Sequence, residues 1–325
     1  MSKIHVGVLR GGPSSEYEVS LKTGGSILNN LSPDKYHPHD ILITKDGLWH
    51  MMGVAMEPSN ILRQIDVAVN AMHGEYGEDG KVQQLLEAHG TPFTGSKSFP
   101  SAMAMNKGIS KKFFLKHGLK TPIHVFVHKK DDIEERAIQI FKTFPQPSIV
   151  KPATGGSSVG VRVARTLREL KEALYEALGY SSMALVEEFI NGREATCGVI
   201  DNFRGKKHYP LLPVEIIKPA KSDFFDFDAK YSGQSDEVCP GNFTQEESEQ
   251  LQRLAMIAHE CLGLRHYSRS DFLLTPRRGI YILEVNTLPG LTEESLFPKS
   301  LYAVGSSLSN FLDHLISLAL EKPGN

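Results

Sequence analysis

Two apolar segments near the end of the chain are the most informative part of the sequence: Arg269-Ser-Asp-Phe-Leu-Leu, and then Tyr281-Ile-Leu-Glu-Val-Asn-Thr-Leu-Pro-Gly290. The residues between them include Pro-Arg-Arg-Gly at 276–279, which predicts a turn joining two adjacent strands. Side chains two residues apart on a strand share a face, so Glu284 and Asn286 project together. If the strands pair as a hairpin, Asp271 lies close to both.

Asp271, Glu284 and Asn286 are a candidate metal site. Two carboxylates and one amide oxygen are too few ligands to enclose Ca²⁺, but they suit Mg²⁺ that keeps waters and takes phosphate oxygens. The alternatives are a solvated charge beside a turn and a structural ion pair. The flanking Leu283 and Val285 predict that Glu284 is half buried, and a buried carboxylate needs a partner. The pattern therefore favours an enzyme that handles nucleotide phosphates.

Composition restricts the class of protein. The chain has 325 residues, of which 40% are hydrophobic and 23% charged, with a formal net charge of -2. This predicts a soluble protein of two or three domains, with no surface for nucleic acid or anionic membranes. No signal-peptide pattern is visible, and no apolar run approaches the ~20 residues of a membrane-spanning helix. The three cysteines, Cys197, Cys239 and Cys261, lack metal-type spacing. Because their number is odd, they cannot form a full set of disulfides, and this favours a reducing cytoplasm.

The order of predicted elements divides the chain into three regions. Alternating strands, loops and helices over residues 1–100 predict an α/β domain with a mostly parallel sheet. In this domain, Ser15 and Glu18 predict a capping box before the first helix. Residues 101–185 begin with a predicted helix over 101–117. Residues 186–325 hold the hairpin, a long loop over 218–241 and a predicted last helix over 299–320.

Three further motifs are weaker when each is taken alone. Lys151-Pro-Ala-Thr-Gly-Gly-Ser-Ser-Val-Gly160 places a lysine before a turn whose backbone N–H groups can approach an anion, but it also fits a plain hairpin. It matches neither of the common glycine-rich nucleotide patterns. Leu185-Val-Glu-Glu-Phe-Ile-Asn-Gly-Arg-Glu194 fits a purine and ribose contact, although a solvated connector is favoured in isolation. In His73-Gly-Glu-Tyr-Gly-Glu-Asp-Gly80, His73 either binds substrate or caps the loop.

Taken together and in order, the motifs resemble the D-alanine–D-alanine ligases of the ATP-grasp superfamily over nearly the whole chain. Besides the stretches quoted above, the resemblance rests on Gly11-Gly-Pro-Ser-Ser-Glu-Tyr-Glu-Val-Ser20, Ser101-Ala-Met-Ala-Met-Asn-Lys107, Ala229-Lys-Tyr231 and Ser295-Leu296. It implies a three-domain enzyme of α/β and α+β class. An N-terminal domain with a doubly wound parallel sheet is followed by two domains with mixed or antiparallel sheets, and ATP lies between the second and third.

The resemblance also implies a nucleotide site and two Mg²⁺ ions, for which Mn²⁺ can substitute. Phosphate contacts are expected from Lys107, Lys151 and Lys230. Contacts to adenine and ribose are expected from Glu187, Phe189, Ile190 and Glu194. The metal ligands are expected to be Asp271, Glu284 and Asn286.

The implied substrate is a pair of D-alanine molecules, joined through an acyl-phosphate for peptidoglycan precursor synthesis. Glu16 is expected to hold the ammonium of the first D-alanine, linked through Ser157 and Tyr231, with His73 near the same subsite. The second D-alanine and the developing oxyanion are expected to contact Arg269, Gly290, Ser295 and Leu296. The loop 218–241 is expected to close as a lid that keeps water from the acyl-phosphate.

Three positions depart from the family pattern, and other functions stay open. Asn106 replaces an aspartate, Ser270 an apolar residue, and Glu188 a lysine found in some members. The first alternative is a ligase that joins D-alanine to D-lactate or D-serine, against which the Lys230-Tyr231 pair argues. The second is an inactive nucleotide-binding module, which would not need Arg269 beside the metal residues. A homodimer is expected, with small molecules as the other partners.

Overall fold

A computed structural model of the chain describes residues 2–155, 159–217 and 236–321. Three β-sheets organise this part of the chain. The predicted combination of a mostly parallel sheet with two antiparallel ones is confirmed. Ser157, Lys230 and Tyr231 lie outside the described residues, as does most of the predicted lid.

The first sheet has the strand order β4-β3-β2-β1-β5, in which β1 pairs in parallel with both β2 and β5. Val6 and Val8 of β1 are fully buried, as a central parallel strand covered on its faces requires. The strands of this region are β1 (Ile4–Gly11), β2 (Tyr36–Ile43), β3 (Trp49–Met51), β4 (Val54–Ala55) and β5 (Val67–Asn70). The helices are α1 (Tyr17–Asn30), α2 (Pro58–Leu62) and α3 (Lys81–Ala88).

The predicted capping box at the start of α1 is wrong. The helix begins at Tyr17, and Glu16 occupies the capping position without a side-chain hydrogen bond to the helix. The hydroxyl of Ser14 instead accepts the N–H of Glu16 at 3.1 Å and donates to the carbonyl of His73 at 2.6 Å. The loop after β1 is thereby tied to the loop after β5, at the carboxyl ends of adjacent parallel strands where ligands bind in such sheets.

The predicted single helix over 101–117 is also wrong, because Asn106 divides it. Asn106 has an extended backbone (φ -87°, ψ 102°), and its side-chain oxygen accepts the N–H groups of Gly108 and Ile109 at 3.0 and 3.1 Å. Asparagine and aspartate are both strong helix N-caps, so Asn106 serves here as an aspartate would. The result is two helices, α4 (Ser98–Met105) and α5 (Lys107–Lys116). Lys107 is therefore the first residue of α5.

The second sheet is antiparallel, with the order β6-β9-β7-β8. Its core is a cluster in which Val150 and Val186 pack with Ala137 and Leu174 of two helices. The strands are β6 (His124–His128), β7 (Ser148–Pro152), β8 (Arg162–Ala164) and β9 (Met183–Glu188). The helices are α6 (Ile133–Thr143) and α7 (Leu167–Tyr180).

The third sheet contains the predicted hairpin, which is confirmed. The order is β13-β12-β10-β14-β15, with β11 paired to β10. Asp271 pairs with Glu284 and Arg269 with Asn286, and a bulge after Asp271 shifts the register. Bulges change the direction of nearby side chains and are common beside active sites. The elements are β10 (Arg193–Phe203), β11 (Lys206–Pro210), β12 (Val214–Ile217), β13 (Asp236–Val238), α8 (Gln245–Cys261), β14 (Tyr267–Thr275) and β15 (Gly279–Asn286).

The end of the chain forms two helices rather than the one predicted over 299–320. These are α9 (Leu296–Ala303) and α10 (Leu308–Leu320), separated by Gly305 with φ +69°. Phe311 and Leu312 of α10 are fully buried in the same cluster as Val6 and Val69 of the first sheet. The C-terminal segment therefore packs back on the N-terminal sheet.

Two buried serines on β14 allow a matched stability test. The hydroxyl of Ser268 contacts His259 Nδ1 at 2.8 Å, whereas that of Ser270 has no hydrogen-bond partner among the described residues. Ser270 pairs with Cys197 and Val285, which are apolar. We expect Ser270→Ala to raise the free energy of unfolding by about 1 kcal/mol and Ser268→Ala to lower it by about as much. Denaturant unfolding measures both, and equal losses in the two variants would contradict the assignment.

Candidate active site

The sequence-derived site residues that the structure describes come together around one cavity of about 360 Å³. They reach it from loops of the first sheet, from strands of the other two sheets and the turns that follow them, and from the first residues of α5 and α9. The lining includes Glu16, His73, Lys107, Lys151, Glu187, Phe189, Ile190, Glu194, Arg269, Asp271, Glu284, Asn286, Gly290, Ser295 and Leu296. Glu78, which the sequence reasoning missed, lines the same cavity.

The hairpin places the candidate metal ligands side by side. Arg269 donates two hydrogen bonds to the two carboxylate oxygens of Asp271, each at 2.9 Å. Asn286 donates its amide N–H to the same carboxylate at 3.1 Å, so its amide oxygen points elsewhere. The carboxylate of Glu284 keeps 29% side-chain exposure and lies 3.4 Å from Lys107 Nζ. The half-buried position predicted for Glu284 is confirmed.

Burial and charge act in opposite directions on Arg269. Burial alone would lower its pKa, but the carboxylates of Asp271, Glu284 and Glu78 outweigh burial and raise the pKa. The guanidinium therefore stays charged at any physiological pH. A fixed cation beside the candidate metal ligands of the hairpin can stabilise negative charge that develops in the cavity.

A buried cluster of two lysines and one carboxylate lies near β7 and β9, and two of its members, Lys151 and Glu187, line the cavity. Glu187 Oε1 lies 2.6 Å from Lys111 Nζ, and Glu187 Oε2 lies 2.7 Å from Lys151 Nζ. Lys111 also donates to Thr121 Oγ1 at 2.5 Å and is fully buried. The sequence reasoning missed Lys111. Its signal was a lysine four residues after Lys107, a spacing that places two side chains on one face of a helix.

Burial and the neighbouring charges shift the pKa values of two members of this cluster. Burial tends to raise the pKa of Glu187, but Lys111 and Lys151 outweigh it and lower that pKa to about 2. Burial lowers the pKa of Lys111 to about 8, although Glu187 opposes this shift. Glu187 is therefore ionised at neutral pH and fixes the position of the Lys151 ammonium group. Both oxygens of the carboxylate expected to contact adenine are thus paired with lysines.

Two other carboxylates that line the cavity, Glu16 and Glu78, both lie close to Gly74. A Cβ on Gly74 would lie 2.7 Å from Glu16 Oε2, and the Gly74 N–H donates to Glu78 Oε2 at 2.7 Å. Gly74 has φ +72°, so this close approach of backbone to carboxylate depends on glycine. Burial first, and then the charge of Glu16, raises the pKa of Glu78 to about 8. The pair resists holding two negative charges and favours a cation.

His73 lies beside this pair in an uncharged state. Its Nε2 is 2.8 Å from the hydroxyl of Thr23, and its backbone N–H donates to Ser20 Oγ at 2.9 Å. Burial lowers its pKa to about 4, with a smaller contribution from the charge of Arg269. His73 is therefore a neutral polar group in the cavity wall at neutral pH.

A tight turn brings Gly290 and Ser295 together just before the first residue of α9. A Cβ on Gly290 would lie 2.9 Å from Ser295 Oγ, so a larger residue would displace that hydroxyl. Ser295 Oγ is 2.7 Å from Thr292 Oγ1 and accepts the Thr292 N–H at 3.2 Å. Leu296 follows as the first residue of α9.

The remaining wall continues β9 into the turn before β10. Phe189 and Ile190 lie in this turn, and Glu194 is the second residue of β10. Glu188, a departure from the family pattern, accepts the Ile123 N–H at 3.0 Å and pairs with Arg278 at 2.7 Å. The Glu188 carboxylate therefore has both a cationic partner and a backbone N–H donor.

Comparison with known proteins identifies the family. The model described as "D-ala D-ala ligase C-terminus" matches residues 113–317, and "D-ala D-ala ligase N-terminus" matches residues 5–61 and 53–96. A D-alanine–D-alanine ligase of Clostridium beijerinckii is 36% identical over 316 residues, covering 97% of this chain and 98% of the relative. The chain belongs to the D-alanine–D-alanine ligase family. A ligase of Geobacter sulfurreducens is 40% identical over 296 residues, covering 90% of this chain and 87% of the relative.

Solved structures of ligases support the fold of the ATP-grasp type. The D-alanine–D-alanine ligase of Bacillus anthracis complexed with ATP has 32% identity and a TM-score of 0.81, covering 98% of each chain. The VanG D-Ala:D-Ser ligase of Enterococcus faecalis has 28% identity and a TM-score of 0.86, covering 98% of this chain and 100% of its own. In the described part of the chain, no helix is both long and apolar enough to cross a membrane.

Within this ligase site, Lys111 is open to a direct test. We expect Lys111→Met to lower the free energy of unfolding by about 3–5 kcal/mol, because it leaves a buried carboxylate with one fewer cation. The KM for ATP should rise as well, since Lys151 loses the fixed position of its partner. Lys112 is exposed on the next position of the same helix, so Lys112→Met is the matched control. Chemical unfolding and ATP titration of both variants measure the difference, and equal behaviour would contradict the role of Lys111.

Proposed function

We propose that this chain joins two molecules of D-alanine to D-alanyl-D-alanine with hydrolysis of ATP to ADP and phosphate. The product would serve peptidoglycan precursor synthesis in the cytoplasm. The observation that carries the proposal is the division of one cavity into two chemically different ends. One end has lysines and a carboxylate hairpin for a nucleotide, and the other has a carboxylate pair for an ammonium. Membership of the ligase family supports this assignment.

The nucleotide end fits a triphosphate. Lys107 and Lys151 place ammonium groups at the cavity, and Lys107 also donates to the carbonyl of Gly155 at 2.8 Å. This contact ties the first turn of α5 to the glycine-rich turn after β7. Phe189 and Ile190 supply apolar surface for a base, and Glu194 supplies a carboxylate for ribose hydroxyls. Lys230, the third lysine expected at the phosphates, lies outside the described residues.

The donor set of the hairpin fits magnesium. Asp271, Glu284 and Asn286 present carboxylate and amide oxygens, which Mg²⁺ prefers, and their number leaves positions for water and phosphate. When bound, the ion supplies charge stabilisation to the transferring phosphoryl group. The hydrogen bonds from Arg269 and Asn286 hold the Asp271 carboxylate in one orientation before any ligand binds.

The carboxylate pair fits the first D-alanine. Its ammonium would lie against Glu16 and Glu78, so its carboxylate would point toward the phosphate end of the cavity. A carboxylate oxygen then attacks the γ-phosphorus of ATP, the bond from phosphorus to the β–γ bridging oxygen breaks, and ADP leaves. The product of this step is D-alanyl phosphate.

The second half of the reaction uses the other wall. The neutral amine of a second D-alanine attacks the carbonyl carbon of D-alanyl phosphate, and the carbonyl oxygen becomes an oxyanion. Arg269 and the backbone near Gly290 stabilise that charge. The oxyanion collapses, inorganic phosphate leaves and the nitrogen loses a proton. Ser295 and Leu296 bound the subsite for the second D-alanine, while the Ser157 and Tyr231 links lie outside the described residues.

D-serine is an alternative acceptor in place of the second D-alanine, and one observation favours it, the structural similarity to the VanG D-Ala:D-Ser ligase. The discriminating experiment measures ADP release with D-alanine alone and with D-serine or D-lactate added, and identifies products by mass spectrometry. Dipeptide from D-alanine alone supports the proposal. If the purified enzyme forms only a mixed product, or no ADP, the D-alanine assignment is wrong.

A homodimer is part of the proposal, and sedimentation velocity tests it.

The carboxylate pair predicts a specific pH dependence. The pKa of Glu78 is raised from 4.5 to about 8, so its contribution to stability is complete below 4.5 and is lost as pH rises through 8. An ammonium favours the ionised form, so binding of the first D-alanine should strengthen as pH rises from 6 to about 8 and should release a proton. In Glu78→Gln this strengthening should disappear. Calorimetry in buffers of different ionisation enthalpy measures the proton, and an unchanged release in Glu78→Gln would contradict the prediction.

A further inference from the structure

Three histidines form a cluster on the first sheet that the ligase reaction does not use. His5 lies in β1, and His37 and His39 lie in β2. His37 and His39 are two residues apart on one strand, so they share a face. The parallel register pairs His5 with His37, which adds the third ring to the same face.

The three rings are close enough to share one ligand. Their centroids are 5.1 Å apart for His5 and His37, 5.2 Å for His5 and His39, and 4.9 Å for His37 and His39. His5 Nδ1 lies 2.9 Å from His39 Nε2, and one nitrogen from each ring lies within 4.8 Å of the others. Nitrogens around a tetrahedral zinc ion, at 2.0–2.1 Å from it, are roughly 3.4 Å apart. Small rotations of the rings would therefore bring one nitrogen of each histidine to the spacing of zinc ligands.

The cluster is remote from the reaction. None of the three histidines lines the cavity, and His5 lies near the amino end of β1 whereas the loop to Glu16 leaves its carboxyl end. The six steps along the strand from His5 to Gly11 span roughly 20 Å. Contact with substrate thus does not account for the three rings.

The surroundings limit the movement of the cluster. His39 is half-buried, and its Nε2 lies 2.9 Å from His5 Nδ1. Three protonated rings at these distances would repel, and a metal ion removes that cost by replacing the protons. Pro38 restricts the backbone between His37 and His39, which limits the freedom that a ligand would have to remove.

We propose that His5, His37 and His39 form a binding site for a divalent transition metal of the zinc class, which joins β1 to β2. Three imidazoles suit zinc, copper or nickel and do not suit Mg²⁺, which prefers oxygen. The fourth position is left for water. Because β1 also carries the loop to Glu16, the bound ion would stabilise the sheet that supports the substrate end of the cavity, without taking part in the reaction.

Zinc binding to the full chain without an affinity tag tests this proposal. Zn²⁺ is titrated by calorimetry in the presence of millimolar Mg²⁺ and ADP, which occupy the hairpin site. The key variant is the double substitution His37→Gln and His39→Gln, and the control replaces the exposed His89 and His128 by glutamine. We expect one equivalent of zinc to be lost, or its affinity to fall by at least about 10-fold, in the key variant alone. Ligation without zinc should be unchanged in both.

Two further measurements distinguish zinc bound at the three histidines from zinc bound elsewhere. Co²⁺ should give the intense visible absorption of four-coordinate cobalt in the wild type and the control, and not in the key variant. His5→Gln, on the neighbouring strand, should weaken it as well. One ligand atom from each of Asp201, His208 and His259 also lies within 4.8 Å of the others, so these residues are a second place where zinc could bind. A His208→Gln variant identifies any zinc bound there. Equal zinc stoichiometry and affinity in the wild type and the key variant would overturn the proposal.

Discussion

Replacing Glu284 by glutamine is expected to reduce ATP-dependent formation of D-alanyl-D-alanine by at least about 100-fold, because several kcal/mol of charge stabilisation at the phosphoryl group would be lost. Asp271→Asn should have an effect of similar size. Glutamine keeps the shape and one oxygen of Glu284 but removes its charge. The fold should remain, since the side chain is 29% exposed and Lys107 keeps a second contact with Gly155. Coupled measurement of ADP release at saturating Mg²⁺ gives the rate.

The control for this prediction is Glu246→Gln, which removes an exposed carboxylate in the first turn of α8. Its rate should match that of the wild type. A Mg²⁺ titration separates weakened metal binding from a loss in the chemical step. Turnover of Glu284→Gln within about 10-fold of the wild type at saturating Mg²⁺ is too small a loss for a direct metal ligand, and it would exclude that role.

The second large effect is expected at Arg269. Arg269→Lys keeps the positive charge but loses the planar group that donates to both oxygens of Asp271. We expect kcat to fall by about 100- to 1000-fold, the usual range for loss of an oxyanion donor. The affinity for ATP should change much less, because the two lysines and the apolar wall of the nucleotide end are untouched. Steady-state kinetics and ADP binding by calorimetry measure the two quantities.

The control for Arg269 is the exposed Arg168, which forms an i, i+4 pair with Glu172 on α7. Arg168→Lys should keep normal kcat and normal ATP affinity. If Arg269→Lys instead lost ADP binding and thermal stability while the remaining active fraction kept normal kcat, Arg269 would be a structural residue. Far-UV circular dichroism of each variant confirms that the fold is intact before kinetics are compared.

Local sequence predicted the hairpin, and the family resemblance predicted part of the cavity lining. Apolar runs on either side of a Pro-Arg-Arg-Gly turn require antiparallel pairing, which brings Asp271 opposite Glu284. Strand periodicity then places Glu284 and Asn286 on one face. The same local rules failed at helix ends. They did not detect that Asn106 caps a second helix, and they assigned a cap to Ser15 where the Ser14 hydroxyl links two loops.

The sequence by itself indicated the family, the general order of the elements and many of the residues that carry the proposed chemistry, because motifs and periodicity are local properties. Only the tertiary structure decided how charges from distant segments balance. Lys111 and Glu187 are 76 residues apart in number yet share a buried contact of 2.6 Å. Glu16 and Glu78 approach one another because β1 and β5 are adjacent strands, and burial first, then the charge of Glu16, raises the pKa of Glu78 to about 8. Such shifts depend on burial and distance between side chains, which are set by packing and not by position along the chain.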